Sequence, residues 1–170
     1  DAGLDPTAVI GGEVPQLGGN AIAGNSDLFV IEADEYDYAF LGLEPKIAVV
    51  TNIEHDHPDL FTDLAAVRAA FAGFLGQVDS EGAVVAFGDD PELRALVSSA
   101  SRATPCFYGF GTENDWRAAA LQSNDLGGTD FVAVKQGEPV GAIRLRVPGR
   151  HNVLNALAVT AVADMLQVPM

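Results

Sequence analysis

The strongest constraint in this sequence is an alternation between two periodicities. Short apolar runs, each about one strand long, are separated by stretches of helical spacing through the first two-thirds of the chain. The runs are TAVI (7–10), LFVIEA (28–33), IAVVTN (47–52), AVVAFG (83–88) and CFYGFG (106–111). Continuous Val/Ile/Phe runs belong to strands buried on both faces, which predicts a parallel sheet covered by helices. Residues 62–77 have helical spacing, with Leu64, Val67, Ala70, Phe71, Phe74 and Leu75 on one side. Residues 90–100 predict a second helix, with Asp89 or Asp90 as N-cap and Pro91 in its first turn.

After Gly111 the pattern changes. WRAAALQS, TDFVAVKQ and GAIRLRV are three runs separated by the turn-like NDLGG and GEPV, which predicts a small antiparallel meander. A Pro-Gly pair then leads into an alanine-rich helix over 152–168. The expected architecture is α/β, a mostly parallel sheet flanked by helices with an antiparallel appendage, in one domain. A chain of 170 residues, 48% hydrophobic, is long enough for one sizeable core.

Charge narrows the partners. A net charge of −15 argues against nucleic acid or an anionic membrane, because nothing offsets the repulsion. The single cysteine, Cys106, excludes an internal disulfide framework and suits a reducing compartment. No apolar run is long enough to span a bilayer and no signal-peptide pattern opens the chain, so a cytoplasmic location is expected. The first residue is Asp1 rather than methionine, which suggests a fragment or a processed product.

Three segments carry candidate chemistry. The run LFVIEA leads into EADEYD, placing Glu32, Asp34, Glu35 and Asp37 within six residues. In parallel sheets, ligands bind beyond the carboxyl ends of strands, and crowded carboxylates there call for a cation or hydrogen-bond donors. A solvated acidic loop is the alternative. The second segment follows IAVVTN and holds Asn52, Glu54, His55, Asp56, His57 and Asp59. Two neighbouring strand tips of this composition suit a divalent metal: oxygen-rich ligation favours Mg²⁺, and an imidazole makes Mn²⁺ acceptable. Zinc ligand spacing is absent. For either histidine alone, a surface or structural role is the alternative.

The third segment is PGRHNVLNA (148–156). His151 and Asn152 open a helix, and Asn155 lies three residues beyond Asn152 on a shared face. A carboxamide can pair with both a donor and an acceptor on an adenine edge. Alternatively, Asn152 caps the helix and Asn155 is a surface residue. The chain has only two lysines, Lys46 and Lys135, and neither lies in a glycine-rich loop, so no P-loop is present.

Taken in order, EADEYD (32–37), TNIEHDHPD (51–59) and GRHNVLNA (149–156) resemble the Mur ligases. That family carries an E-A-D-E-like motif, then T-N-x-x-x-D-H-x-D, then G-x-H-N-x-x-N-A opening a helix. DAGLDPTAVIGG (1–12) is similar to the segment following the family's P-loop helix. The resemblance therefore implies a central, P-loop NTPase-like ATP-binding domain over 1–170. The P-loop, the N-terminal UDP-binding domain and the C-terminal domain would lie outside it. It further implies an ATP-dependent ligase of peptidoglycan synthesis acting through an acyl phosphate, with Mg²⁺ or Mn²⁺. Glu32 and His57 would be metal ligands, Asp56 and Asn52 would shape the catalytic site, and His151, Asn152 and Asn155 would flank adenosine.

Within the family, the short FLGLEPKIAVV segment and Phe71, near the position of a lysine carbamylated in many members, resemble the alanine-adding branch. Its substrates are UDP-N-acetylmuramate and L-alanine. Tyr36 departs from the serine usual there, and EADEYD also resembles the tripeptide-recycling murein peptide ligases. A murein peptide ligase, a folylpolyglutamate synthase-like ligase and a non-enzymatic acidic metal-binding module are the alternatives.

Overall fold

The computed structural model describes residues 2–169, so Asp1, the first residue of the DAGLDPTAVIGG segment, lies outside the described residues. The chain divides into two compact units, Asp1–Phe40 and Leu41–Met170. The sequence had predicted one α/β domain.

The first unit is built on three strands, β1 (Thr7–Val14), β2 (Gly19–Ile22) and β3 (Phe29–Ile31), in the order β2-β1-β3. A 3₁₀ turn over Pro15–Leu17, closed by Gly18 in the left-handed region, reverses β1 into β2, which pairs with it antiparallel. β3 pairs parallel to β1, with Thr7 opposite Phe29. Phe29, Val30 and Ile31 are 60%, 50% and 40% exposed although they are consecutive and so lie on both faces. An apolar run reads as a strand buried on both sides, but among the described residues of this unit there is no α-helix to cover either face.

The second unit holds a continuous six-stranded sheet. β4 (Ile47–Val50), β5 (Ala83–Phe87), β6 (Thr104–Gly109), β7 (Trp116–Ser123), β8 (Thr129–Lys135) and β9 (Glu138–Arg144) lie side by side in chain order. β4 through β7 are parallel, and β8 and β9 complete the sheet antiparallel. The meander is thus an extension of the parallel sheet rather than a separate body.

Helix α1 (Leu64–Leu75) crosses from β4 to β5. Asp63 caps it, its carboxylate accepting from the Ala66 N–H at 2.8 Å. Val67, Ala70, Phe74 and Leu75 are buried, as the spacing predicts. Helix α2 (Pro91–Ala100) crosses from β5 to β6, capped by Asp90, which accepts from Glu92 and Leu93 N–H, with Pro91 in the first turn. The Arg94 guanidinium lies 4.0 Å from the centre of the Phe107 ring, so α2 covers the Phe107 face of β6.

Helix α3 (Arg150–Met165) covers the opposite face. Its Val153, Leu157, Ala158 and Ala161 pack with Val85, Cys106, Tyr108, Trp116, Ala118, Phe131 and Ala133 in one buried cluster. Cys106 and Tyr108 alternate with Phe107 along β6, which is the two-residue period of a strand covered on both sides. Lys135 ties β8 to α3, its ammonium 2.7 Å from the Asp164 carboxylate and 5.7 Å from the Trp116 ring centre.

Several boundaries differ from expectation. GEPV reads as a turn, but the reversal is confined to Gln136 and Gly137, both at positive φ (49° and 90°). Two such residues form the tight hairpin loop that matches strand twist, so Glu138, Pro139 and Val140 enter β9. Pro139 is tolerated because β9 is an edge strand and the register shifts beside it. Helix α3 also starts two residues earlier than expected, directly after Gly149.

The buried cluster has a consequence at alkaline pH. Burial pushes the Cys106 thiol from its ordinary 9.0 up to about 11, with Asp115 and Asp164 adding to the rise and Lys135 opposing it. A raised folded value means that the unfolded chain loses its proton first. Stability from this group is therefore complete below pH 9 and falls as pH rises through 11. Burial likewise lifts the Tyr108 hydroxyl from 10.0 to about 12, so its contribution starts to fall one unit later. Urea unfolding at half-unit pH steps should show stability falling between pH 9 and 10, and Cys106→Ala should flatten that interval while leaving the decline above pH 10.

Candidate functional site

Because β4, β5 and β6 are parallel, their carboxyl ends share one edge of the sheet. Three loops leave that edge: the segment after Val50, the Gly88–Asp90 turn and the segment after Gly109. The first carries TNIEHDHPD. Asn52 is exposed, and its side-chain oxygen accepts from the Thr51 hydroxyl at 3.0 Å. His55 is engaged structurally, its Nε2 2.9 Å from the Phe61 carbonyl oxygen. His57 lies in the left-handed region (φ 52°). A non-glycine residue there costs about 1–3 kcal/mol and persists only where neighbours enforce it. Here the Asp56 carboxylate accepts from the His57 N–H at 2.7 Å, and the Leu60 and Phe61 N–H groups both bond the His57 carbonyl at 2.9 Å. Phe61 is fully buried and anchors this loop. A carboxylate and an imidazole adjacent in a fixed loop form a donor set suited to Mg²⁺ or Mn²⁺.

The next two loops are joined by a network that sequence reasoning missed. The Asp89 carboxylate accepts from Phe110 N–H at 2.6 Å, Gly111 N–H at 3.0 Å and Asn114 Nδ2 at 2.6 Å. Arg94 donates from Nε to the Gly88 carbonyl at 3.1 Å and from its terminal nitrogen to Asn114 Oδ1 at 2.8 Å. A Cβ at Gly109 would collide with the Asp89 carboxylate, so glycine permits this approach. Asp89 was legible only as one of two cap candidates. Asp90 took the cap, which frees Asp89 to hold the neighbouring loop.

Helix α3 brings GRHNVLNA to the same edge. Gly149 adopts φ 103° and ψ 140°, and a Cβ there would lie 2.7 Å from the His151 ring. Only glycine fits that turn. Asn152 donates from Nδ2 to the Pro148 carbonyl at 2.6 Å, bracing the turn rather than accepting from the helix's free N–H groups. His151 and Asn155 are exposed. Arg150, in the first turn, lays its guanidinium 3.9 Å from the centre of the Phe110 ring, which fixes the start of α3 at the carboxyl end of β6.

The acidic segment belongs to the first unit. β3 and β4 are not neighbours in one sheet, so the expectation of adjacent strand tips is corrected: β3 finds its partner in β1. The Glu32 carboxylate accepts from Gly11 N–H at 2.8 Å, across to β1. Asp34 accepts from Tyr36 N–H at 2.9 Å, and its carbonyl takes Phe40 N–H at 2.9 Å. Asp37 and Tyr38 both lie in the left-handed region within the 3₁₀ segment Tyr36–Gly42. Backbone donors thus meet part of the acidic crowding. Among the sequence-predicted residues, the second unit contains Asn52, Asp56, His57, His151, Asn152 and Asn155, while Glu32 lies in the first.

Residues 12–163 match the family described as Mur ligase middle domain. The chain is 52% identical to UDP-N-acetylmuramate--L-alanine ligase of Frankia alni over 98% of its own length and 30% of that protein's. It is 43% identical to the ligase of the same name from Salinibacter ruber, over 99% of this chain and 35% of that one. The chain thus spans about a third of the length of these relatives. Among solved structures, it is similar to UDP-N-acetylmuramate:L-alanyl-gamma-D-glutamyl-meso-diaminopimelate ligase from Neisseria meningitides. That likeness has 32% identity and a TM-score of 0.85, covering 97% of this chain and 54% of the other. It is also similar to UDP-N-acetylmuramate-alanine ligase from Thermotoga maritima, with 30% identity and a TM-score of 0.77, covering 96% and 36%. The motif order, the sheet edge to which two of those motifs converge and the match across 12–163 agree: this chain belongs to the Mur ligase middle domain family.

Proposed function

We propose that this chain is the central, nucleotide-handling part of an ATP-dependent ligase of peptidoglycan synthesis that joins L-alanine to UDP-N-acetylmuramate in the cytoplasm. One observation carries the reading. The His57 loop and the start of α3 lie at the same carboxyl edge, beyond β4 and β6, with only β5 between these strands. Adjacent strands are about 4.8 Å apart, so these two strand ends are about 10 Å apart, within the reach of one nucleotide. Identity to the alanine ligases over nearly the whole chain supports the substrate pair.

On this reading the muramoyl carboxylate attacks the γ-phosphorus of ATP. An acyl phosphate forms as the bond to ADP breaks. The L-alanine amine then attacks the acyl carbon, forming the amide and expelling phosphate, and the amine proton passes to solvent or a nearby base. Mg²⁺ supplies charge neutralisation at the transferring phosphoryl group. Glu32 and His57 are assigned as its ligands, Asp56 orients the His57 loop and Asn52 shapes the site. At the other end, Asn152 is occupied with Pro148, so the reading of the adenine edge falls chiefly on Asn155, with His151 beside it. The phosphate cradle is assigned to sequence outside this chain, which has no Gly-Lys-Ser/Thr loop.

A second reading is a murein peptide ligase, supported by Tyr36 in EADEYD and by the greater structural likeness to the Neisseria meningitides protein. Supplying the full-length polypeptide that carries this chain with ATP, UDP-N-acetylmuramate and either L-alanine or the tripeptide decides between them. Phosphate release with L-alanine alone is expected. Turnover only with the tripeptide would move the assignment, and robust turnover by residues 1–170 alone would overturn the central-part reading.

Glu32→Ala and His57→Ala should each lower kcat by about 100-fold or more, the scale of losing one group that stabilises transferring charge. Combined, they should lose less than the product of the single effects if both serve one cluster. Near-wild-type kcat at limiting Mg²⁺ in either variant would remove that residue from the assignment. Asn155→Ala should raise the KM for ATP by a few-fold to about tenfold, the value of one or two neutral hydrogen bonds. Steady-state kinetics with the other substrates saturating would measure it.

A further inference from the structure

Arg150 is placed oddly for a residue with only a structural role. It is a cation in the first turn of a 16-residue helix, where the helix dipole disfavours positive charge. The chain has 24 aspartates and glutamates, yet among the described residues none of the ion pairs involves Arg150. Its guanidinium instead lies 3.9 Å from the centre of the Phe110 ring, while the residue as a whole remains exposed.

The support beneath it is rigid. Phe110 packs against the buried cluster under α3, and its N–H is held by the Asp89 carboxylate at 2.6 Å. The same carboxylate holds Gly111 and Asn114, and Arg94 locks Asn114 from the other side. The Arg150 guanidinium carbon thus sits over a fixed ring while the residue remains open to solvent. Arg150 stands in the first turn of α3 and Asn155 in the second, at the edge where the base is assigned.

We propose that Arg150, seated over Phe110, is the platform on which the purine of the nucleotide stacks, so that Phe110, Arg150 and the base form a three-layer sandwich. Guanidinium planes accept nucleobases in this way, and stacking depends on the area of overlap rather than on a hydrogen-bond code. Asn155 then reads the edge of the base while Arg150 carries its face. This division explains why the helix tolerates a cation where its dipole opposes one. The inference rests on the nucleotide reading proposed above.

The test uses the full-length ligase, with KM for ATP and for UTP measured for Arg150→Ala, Arg150→Lys and Asn155→Ala, and melting curves run alongside. Arg150→Ala should raise the KM for ATP by roughly fivefold or more, the scale of one lost base stack, with a smaller change in kcat and a narrowed preference for ATP over UTP. Arg150→Lys should recover little of this, because an ammonium has charge but no plane. Full recovery by lysine would overturn the stack in favour of charge alone. An unchanged ATP KM in Arg150→Ala, whether or not Tm falls, would reduce the pair to a staple between helix and sheet. If Asn155→Ala raises the KM for ATP while Arg150→Ala does not, the platform alone fails. If neither raises it, the assignment of the base to the start of α3 fails with it.

Discussion

Burial of the Val153, Leu157, Ala158 and Ala161 stripe of α3 against the sheet is the contact on which the second unit depends. It joins parallel and antiparallel strands into one core, because the helix reaches from Val85 on β5 to Phe131 and Ala133 on β8. Fully burying residues such as Val and Leu is worth about 1.5–3 kcal/mol each, so this stripe is a large fraction of a domain's net stability. It also has a functional consequence. A helix packed along its whole length has a fixed starting point, and here that point falls at the carboxyl end of β6. Gly149 and the Asn152 brace on Pro148 then set how the chain enters the first turn. The precision of the candidate site is inherited from the core.

The carboxyl edge is built from residues that hold one another. Asp89 shows the logic. A carboxylate accepting two N–H groups and a carboxamide is nearly saturated, which rigidifies the Phe110 loop and removes Asp89 as a free ligand. His57 is held in the left-handed region by three hydrogen bonds on its own N–H and carbonyl, one to the Asp56 carboxylate and two from the Leu60 and Phe61 N–H groups. Such strain is usual where a side chain must be aimed in one direction. Of the two histidines in TNIEHDHPD, His55 faces the Phe61 carbonyl and serves the loop, which leaves His57 as the one with a case for chemistry.

Much of the fold was legible because period and punctuation agree. Asp90 and Pro91 mark the start of a helix in the sequence and in the structure, whereas Asp63, read as part of the helical stretch, proves to be the cap of the other. The Val/Ile runs at 47–52 and 83–88 become adjacent parallel strands. Strand adjacency between 28–33 and 47–52 was not legible, because the periodicity of a run says how it is buried and not which strand it pairs with. β2 was missed because GNAI has too little apolar content to read as a strand, and the backbone pairing to β1 stabilises it instead. The third run of the meander was placed three residues late, since Gly-Glu-Pro-Val looks turn-like in composition while the turn needed only Gln136 and Gly137. At the site, the motifs gave the residues but not their division of labour. Asn152 and Asn155 are alike in sequence, and only the geometry separates a turn brace from an exposed carboxamide.

The charge balance constrains how such an edge can work. With 24 acidic residues against nine basic ones, the chain repels a triphosphate at long range. Four of its nine lysines and arginines are engaged within the chain: Arg94 with Phe107, Gly88 and Asn114, Lys135 with Asp164, Arg68 with Glu92 and Arg144 with Asp125. A surface of this kind binds a polyanion by presenting oxygen ligands to a divalent cation and by offering the neutral end of the ligand something other than charge. The loop bearing Asp56 and His57 answers the first requirement. The carboxamide of Asn155 and the plane of Arg150 answer the second, and neither depends on net charge.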